Sequence, residues 1–193
     1  MYETKPLKFD PKSLKGISEK QITLHHDKHY AAYVAARNKI EEKLANGELD
    51  CIRELKKNES HNASGQVLHE IYFANLGGNG GVPEKPLMDM ISRCFGSFEN
   101  WKKEFTACTT AARGWVLLCY DWTDGKLHNY AVDFHDEGAV WNAAPVMALD
   151  LWEHAYYLDY GPDKAKYIEA FFANLDWKDV GERLKKYARE AKK

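Results

Sequence analysis

The stretch Trp115-Val-Leu-Leu-Cys-Tyr120, the turn signal Thr123-Asp-Gly125 and the run over residues 127–134 decide the fold class. Apolar residues upstream recur every three or four positions, whereas here the pattern is that of strands. Asp-Gly between two apolar runs is a hairpin signal. Val146 to Leu151 supplies a candidate third strand. Working back toward the start, helices are predicted over 98–112, opened by Ser97, and over 87–94. Gly77-Gly-Asn-Gly-Gly-Val-Pro83 then marks a boundary. Before it lie a helix over 60–76 closed by Gly77-Gly78, a short helix over 51–57, and a long one over 19–44. Ser18-Glu-Lys-Gln21 opens the long helix as a capping box, and Asn46-Gly47 stops it. Two long helices with a modest connection predict an antiparallel hairpin. Beyond the strands, helix resumes from Tyr157, with Pro162 at a helix start and a basic tail ending Ala191-Lys-Lys. The order is all-α followed by α-α-β-β-β-α-α, an α+β arrangement.

The 193 residues suffice for a buried core. Lys and Arg total 27 against 29 Asp and Glu, a net charge of −2. That balance argues against a nucleic-acid binder held by phosphate contacts and against a polybasic membrane binder. A hydrophobic content of 45%, with 13% aromatic, excludes a disordered chain. No apolar run approaches a membrane span, and the first residues show no secretory pattern. Cys51, Cys94, Cys108 and Cys119 form no Cys-x-x-Cys pair and read as separate thiols in a reducing compartment. A cytoplasmic protein is the expectation.

Three segments carry candidate chemistry. Each helical residue turns about 100°, so His25, His29 and Tyr33 share a face while His26 lies off it. That face fits a metal ligand backed by a second ring and a phenol, and equally a solvated polar patch. His69, with Gly65 one turn earlier, sits beside Tyr72 and Phe73, and a lone His on an aromatic face is also an ordinary core residue. Asp150 and His154 are four apart in an otherwise apolar stretch, where a carboxylate needs a partner or a metal. Together, His25, His69, His154 and Asp150 would make an N₃O site suited to Mn, Fe or Zn. Periodicity alone does not say that the segments meet. Other motifs fail: His69-Glu-Ile-Tyr-Phe73 lacks the second His of a zinc protease, no His has a Glu three residues before it, and Gly77–Gly81 is no phosphate loop.

Read in order, His25-x-x-x-His29-x-x-x-Tyr33-Val, His69 with Asn75-Leu, Phe95-Gly-Ser-Phe98, Gly114-Trp115 and Asp150-x-Trp-Glu-His154-Ala-Tyr-Tyr-x-Asp-Tyr160 resemble the iron/manganese superoxide dismutase family. The resemblance covers residues 7–180. It implies an N-terminal antiparallel helical hairpin over 1–80 and a C-terminal α+β domain over 81–193. The latter would hold a three-stranded antiparallel sheet flanked by helices, with the metal at the interface. It implies His25, His69, Asp150 and His154 as ligands of one Fe or Mn per subunit, with a solvent fifth ligand, and superoxide as substrate. Two superoxides would become dioxygen and hydrogen peroxide as the metal alternates between its trivalent and divalent states. A catalytically silent metal-binding dimer of the same fold is the alternative.

In this family an amide or imidazole serves the bound solvent from one of two places. Gly65 matches one and cannot donate, so the resemblance assigns His135, in Asp133-Phe-His-Asp-Glu137, and with it a lean to iron. Tyr33 resembles the gateway phenol, with His29 beside it. Glu153 reaching His154 of a second copy, and His29 meeting Tyr157 across the same face, imply a homodimer or a dimer of dimers. The chain departs from the family's pattern at Leu68, where Asn is usual, and at Phe73 and Leu117, where Trp is frequent. At Lys164 an Arg is expected, and a lysine lacks the bidentate fork. Lys28 and Lys164 are the cations left to guide an anion.

Overall fold

Ser18 opens the helical half by accepting the Gln21 N–H at 3.0 Å, a side-chain cap for one of the unpaired amides of a helix start. The expected capping box is only half formed. The Gln21 side chain instead donates to the His154 carbonyl at 2.6 Å and accepts the Leu158 N–H at 3.2 Å. Asp159 takes the reciprocal place, accepting both the N–H and the hydroxyl of Ser18.

The computed structural model describes residues 1–138 and 140–190. In it α1 (Glu19–Leu24) runs into a π-helical turn (His25–Tyr30) and then α2 (Ala31–Ala45). A single regular helix was expected. The wider turn falls on the histidine-rich segment, and such turns cluster at functional sites. α3 (Ile52–Ala74) is continuous, correcting the two helices expected over 51–57 and 60–76. Residues 51–64 hold no Gly or Pro, so nothing breaks the helix there, and the Asn62 amide bonds back to the Asn58 carbonyl within it. α2 and α3 form the predicted hairpin.

α4 (Leu87–Phe95) and α5 (Phe98–Ala111) follow, the second capped by Ser97, whose hydroxyl accepts the Asn100 N–H at 3.1 Å. Then comes the sheet of β1 (Trp115–Asp121), β2 (Lys126–Val132) and β3 (Ala143–Asp150), ordered β2-β1-β3 and antiparallel throughout. The central strand β1 is buried along its whole length. β3 begins earlier than Val146, because Pro145 still pairs with Cys119 at a bulge that accommodates its missing N–H. The chain ends in α6 (Tyr157–Tyr160), α7 (Lys164–Ala173) and α8 (Trp177–Glu190). Pro162 lies just outside α7, whose cap is Asp163. The predicted tail Ala191-Lys-Lys lies outside the described residues.

One core joins the two halves. Tyr72 from α3, Trp101 and Phe105 from α5, Trp115 from β1 and Tyr167 and Phe171 from α7 are all fully buried. Each such side chain contributes about 1.5–3 kcal/mol of burial free energy. Asn75, at the end of α3 and fully buried, does more than fill space. Its side chain accepts the Ala148 N–H of β3 at 3.0 Å and donates to Asp179 of α8 at 3.1 Å. Its carbonyl accepts the Asp176 N–H at 2.7 Å. These bonds fix the helix that carries His69 against the strand that carries Asp150.

Candidate metal centre

Asp150 closes β3 directly opposite Trp115 in the strand ladder. Its Oδ2 stands 3.1 Å from His25 Nε2, 3.2 Å from His154 Nε2 and 3.5 Å from His69 Nε2. The last two nitrogens are 3.5 Å apart. The side chains of His25, His69 and Asp150 are 0% exposed and that of His154 is 14%. The segments that periodicity could not join therefore meet, with one donor atom from each of the four residues within 4.8 Å of the others.

The donor set fits a metal. Both nitrogens of the buried His25 ring lack a hydrogen-bond partner, an arrangement that costs about 1–3 kcal/mol per orphaned group. Its 3.1 Å approach to Asp150 does not have hydrogen-bond geometry. Donors about 2.1 Å from a shared first-row ion stand about 3.0–3.6 Å apart, and the four spacings given above fall in that range. The surroundings orient the ligands. His69 Nδ1 donates to the Gly65 carbonyl at 2.6 Å, which leaves the Nε2 lone pair free. Asp150 Oδ1 accepts the Trp152 N–H at 2.9 Å, and the Asp150 carbonyl accepts the Tyr167 hydroxyl at 2.8 Å. Gln21, displaced from its cap, fixes the His154 backbone.

The charges follow. Burial lowers His25 to about 4 and holds His69 well below the usual imidazole range. Burial alone would raise the Asp150 carboxyl; His154 and His25 outweigh it and hold the group below the usual carboxylate range. Neutral imidazoles and an ionised carboxylate are the states a cation requires.

His135 lies in the segment after β2, and the structure brings it to the site. Trp115 Nε1 donates to His135 Nδ1 at 2.9 Å. An indole nitrogen only donates, so Nδ1 is the acceptor and the neutral ring carries its proton on Nε2. Burial lowers His135 to about 4, so that form holds at neutral pH. Gly65 makes the room. A Cβ there would stand 2.8 Å from Tyr33 Cδ1 and 3.2 Å from His135 Cδ2.

The His25, His29 and Tyr33 face survives the π turn. The His29 ring stacks on His154 at 4.3 Å, and the Tyr33 ring lies 5.0 Å from His69 and 4.7 Å from His135. Burial, and then the Asp150 charge, push the Tyr33 phenol up to about 12. His26 turns off that face and bonds to the Lys5 carbonyl and Asp27. Phe73 keeps an aromatic wall, 5.0 Å from the His25 ring. Leu117 leaves more space, lining with Leu68 and His135 a cavity of about 310 Å³. Glu153, Tyr157 and Lys28 are exposed. Lys164 lines a different cavity with Lys102, Thr106 and Thr110, one that none of the four clustered residues borders. The supporting roles of Gln21, Asn75 and Tyr167 escaped sequence reading. Only Asn75, a polar residue between an apolar helix end and a Gly pair, carried a signal.

Comparisons with known proteins point to one family. Residues 1–77 match the family described as iron/manganese superoxide dismutases, alpha-hairpin domain, and residues 83–183 match the C-terminal domain of the same family. Superoxide dismutase (Mn) 1 of Halobacterium salinarum is 44% identical over 193 residues, covering 97% of this chain and 96% of its own. Superoxide dismutase (Mn) 2 of Haloferax volcanii is 43% identical over 188 residues, 94% of each chain. Superoxide dismutase (Fe) of Cupriavidus metallidurans is 39% identical over 194 residues, 95% of this chain and 96% of its own. The lean to iron gains no support from these relatives, since those at 43–44% identity are named for manganese.

Proposed function

This chain belongs to the iron/manganese superoxide dismutase family, and from that premise we propose that it converts superoxide to dioxygen and hydrogen peroxide with manganese held by His25, His69, Asp150 and His154. The observation that carries the reading is the buried four-donor cluster with an unsatisfied His25 ring. Manganese is preferred over iron because relatives at 43–44% identity carry manganese in their names. The two halves, 1–80 and 81–193, would each supply two ligands.

When bound, the ion would supply one-electron exchange between two superoxides, which would leave as dioxygen and, with two protons, as hydrogen peroxide. The protein does the rest. Three neutral imidazoles and one carboxylate leave a trivalent ion cationic and so attractive to an anion. His135 holds its proton on Nε2 and is the donor for solvent in the site. Tyr33, neutral with its phenol near 12, borders the same space beside His29 and would gate entry. We extend the proposal to a homodimer, or a dimer of dimers, built on the exposed face with His29, Glu153, His154 and Tyr157.

Superoxide decay followed with metal-free, manganese-loaded and iron-loaded protein tests the function. Acceleration by loaded samples alone is expected, with manganese giving the higher rate per metal. Indifference to loading would overturn the reading in favour of a silent metal-binding dimer.

A further inference from the structure

His135 sits on residues 133–138, a segment with neither helix nor strand, and loops hold a side chain less precisely than ladders do. The Trp115 bond fixes one nitrogen of its ring. A second restraint acts on the next residue. Asp136 Oδ2 and the Lys57 carbonyl both stand 3.0 Å from the Ser60 hydroxyl and share its one proton, and Oδ1 stands 3.2 Å from His61 Nδ1. Ser60 and His61 are consecutive on α3, the helix that also carries Gly65 and the ligand His69. The His61 ring lies 4.6 Å from that of His135 and 6.1 Å from that of Tyr33.

We propose that the Asp136 carboxylate, gripped by Ser60 and His61, is a clamp that positions His135 toward the metal centre. This rests on the proposed dismutase reading and deepens it. Asp136 acts through the loop of His135, and His61 faces His135 and the Tyr33 ring rather than the four clustered donors, so they are positioning residues. The clamp ties the loop to the same rigid helix as His69. The distance from the His135 donor to the ligands is thereby set by α3 rather than by the loop. Both groups are partly exposed, with side chains 23% and 36% accessible, so the bonds serve geometry more than stability.

Asp136→Ala, His61→Ala and His61→Asn, each loaded with manganese, test the clamp. The readings are the visible absorption of the oxidised metal, its midpoint potential, turnover per bound metal and the thermal midpoint. The two alanine variants are expected to keep their metal and thermal midpoint while the absorption band and potential shift. Turnover per metal should fall about tenfold, as for other outer-sphere partners. An Asn amide nitrogen can occupy the place of His61 Nδ1, so His61→Asn is expected to return most of the wild-type band, potential and rate. Unchanged band and potential in both alanine variants would overturn the clamp. So would a His61→Asn protein indistinguishable from His61→Ala. Should Asp136→Ala fold poorly, the two His61 variants decide alone. A wild-type protein inert toward superoxide would defeat the dismutase reading, while band and potential would still test the clamp.

Discussion

Asp150 and His135 both depend on Trp115, in opposite ways. Asp150 pairs with the Trp115 backbone in the ladder between β1 and β3, and the Leu151 N–H bonds the Gly114 carbonyl at 2.8 Å. His135 meets the Trp115 side chain, through one bond from the indole. A group held by a ladder is placed by the fold and survives changes to its own side chain. A group held by side-chain bonds can be retuned without disturbing the fold, and is equally easy to lose. Asp150, which the other three donors surround, has the first kind of support; His135 has the second.

Asp150→Asn should give the largest effect and would break the comparison if it unfolded the chain. The amide oxygen can still accept the Trp152 N–H, and the pairing with Trp115 is untouched. The anion among three imidazoles is gone, however. Metal affinity is expected to fall more than about 100-fold, beyond the range seen for outer-sphere partners, with the folded far-ultraviolet circular dichroism retained. Metal content after dialysis measures it; a variant that keeps its manganese would show that the carboxylate is not the hub.

Trp115→Phe addresses the other support. It removes the donor to His135, frees the ring to change tautomer and opens a small cavity, at a cost of about 2–4 kcal/mol. The ligands should stay in place because Asp150 keeps its ladder, and the bonds that fix His69 and His154 do not involve the indole. Near-full metal content with turnover down about tenfold is therefore expected. Metal analysis alongside superoxide decay separates the two supports. Loss of metal in step with activity would mean that the ladder alone does not hold the ligands.

The same division explains what the sequence could reveal. His25, His29 and Tyr33 recur at helical spacing, and Asp150 and His154 interrupt an apolar stretch, so each local pattern was visible. Their convergence was not, since it depends on Asn75 bridging α3, β3 and α8 across more than 70 residues of chain. The β1–β2 hairpin was legible from Asp124-Gly125 and the apolar runs around it, whereas the central place of β1 between β2 and β3 was not. The π turn at His25–Tyr30 leaves no compositional mark, and its residues have the spacing of ordinary helix. Gln21 looked like the second half of a capping box. A bond to the His154 carbonyl, 133 residues away, claimed it instead. Long-range side-chain bonds are the part of this site that short-range rules do not reach.

Gly65→Ala sharpens the comparison with the smallest expected change in stability. Replacing glycine inside α3 gains about 1 kcal/mol of helix propensity. The added carbon would stand 2.8 Å from Tyr33 Cδ1 and 3.2 Å from His135 Cδ2, and relieving such overlap costs about 1–3 kcal/mol. The cost equals or exceeds the gain, so the thermal midpoint should hold or fall by a few degrees. The rings themselves must shift, and both are held by side-chain contacts rather than by a ladder. Metal content should stay at the wild-type level while turnover per metal drops severalfold. The site would then be occupied and correctly ligated, yet slower, because the donor and the gate have been pushed off their places. Undiminished turnover would mean that Tyr33 and His135 adjust freely. Glycine at 65 would then be a tolerance of the helix, with no bearing on the reaction.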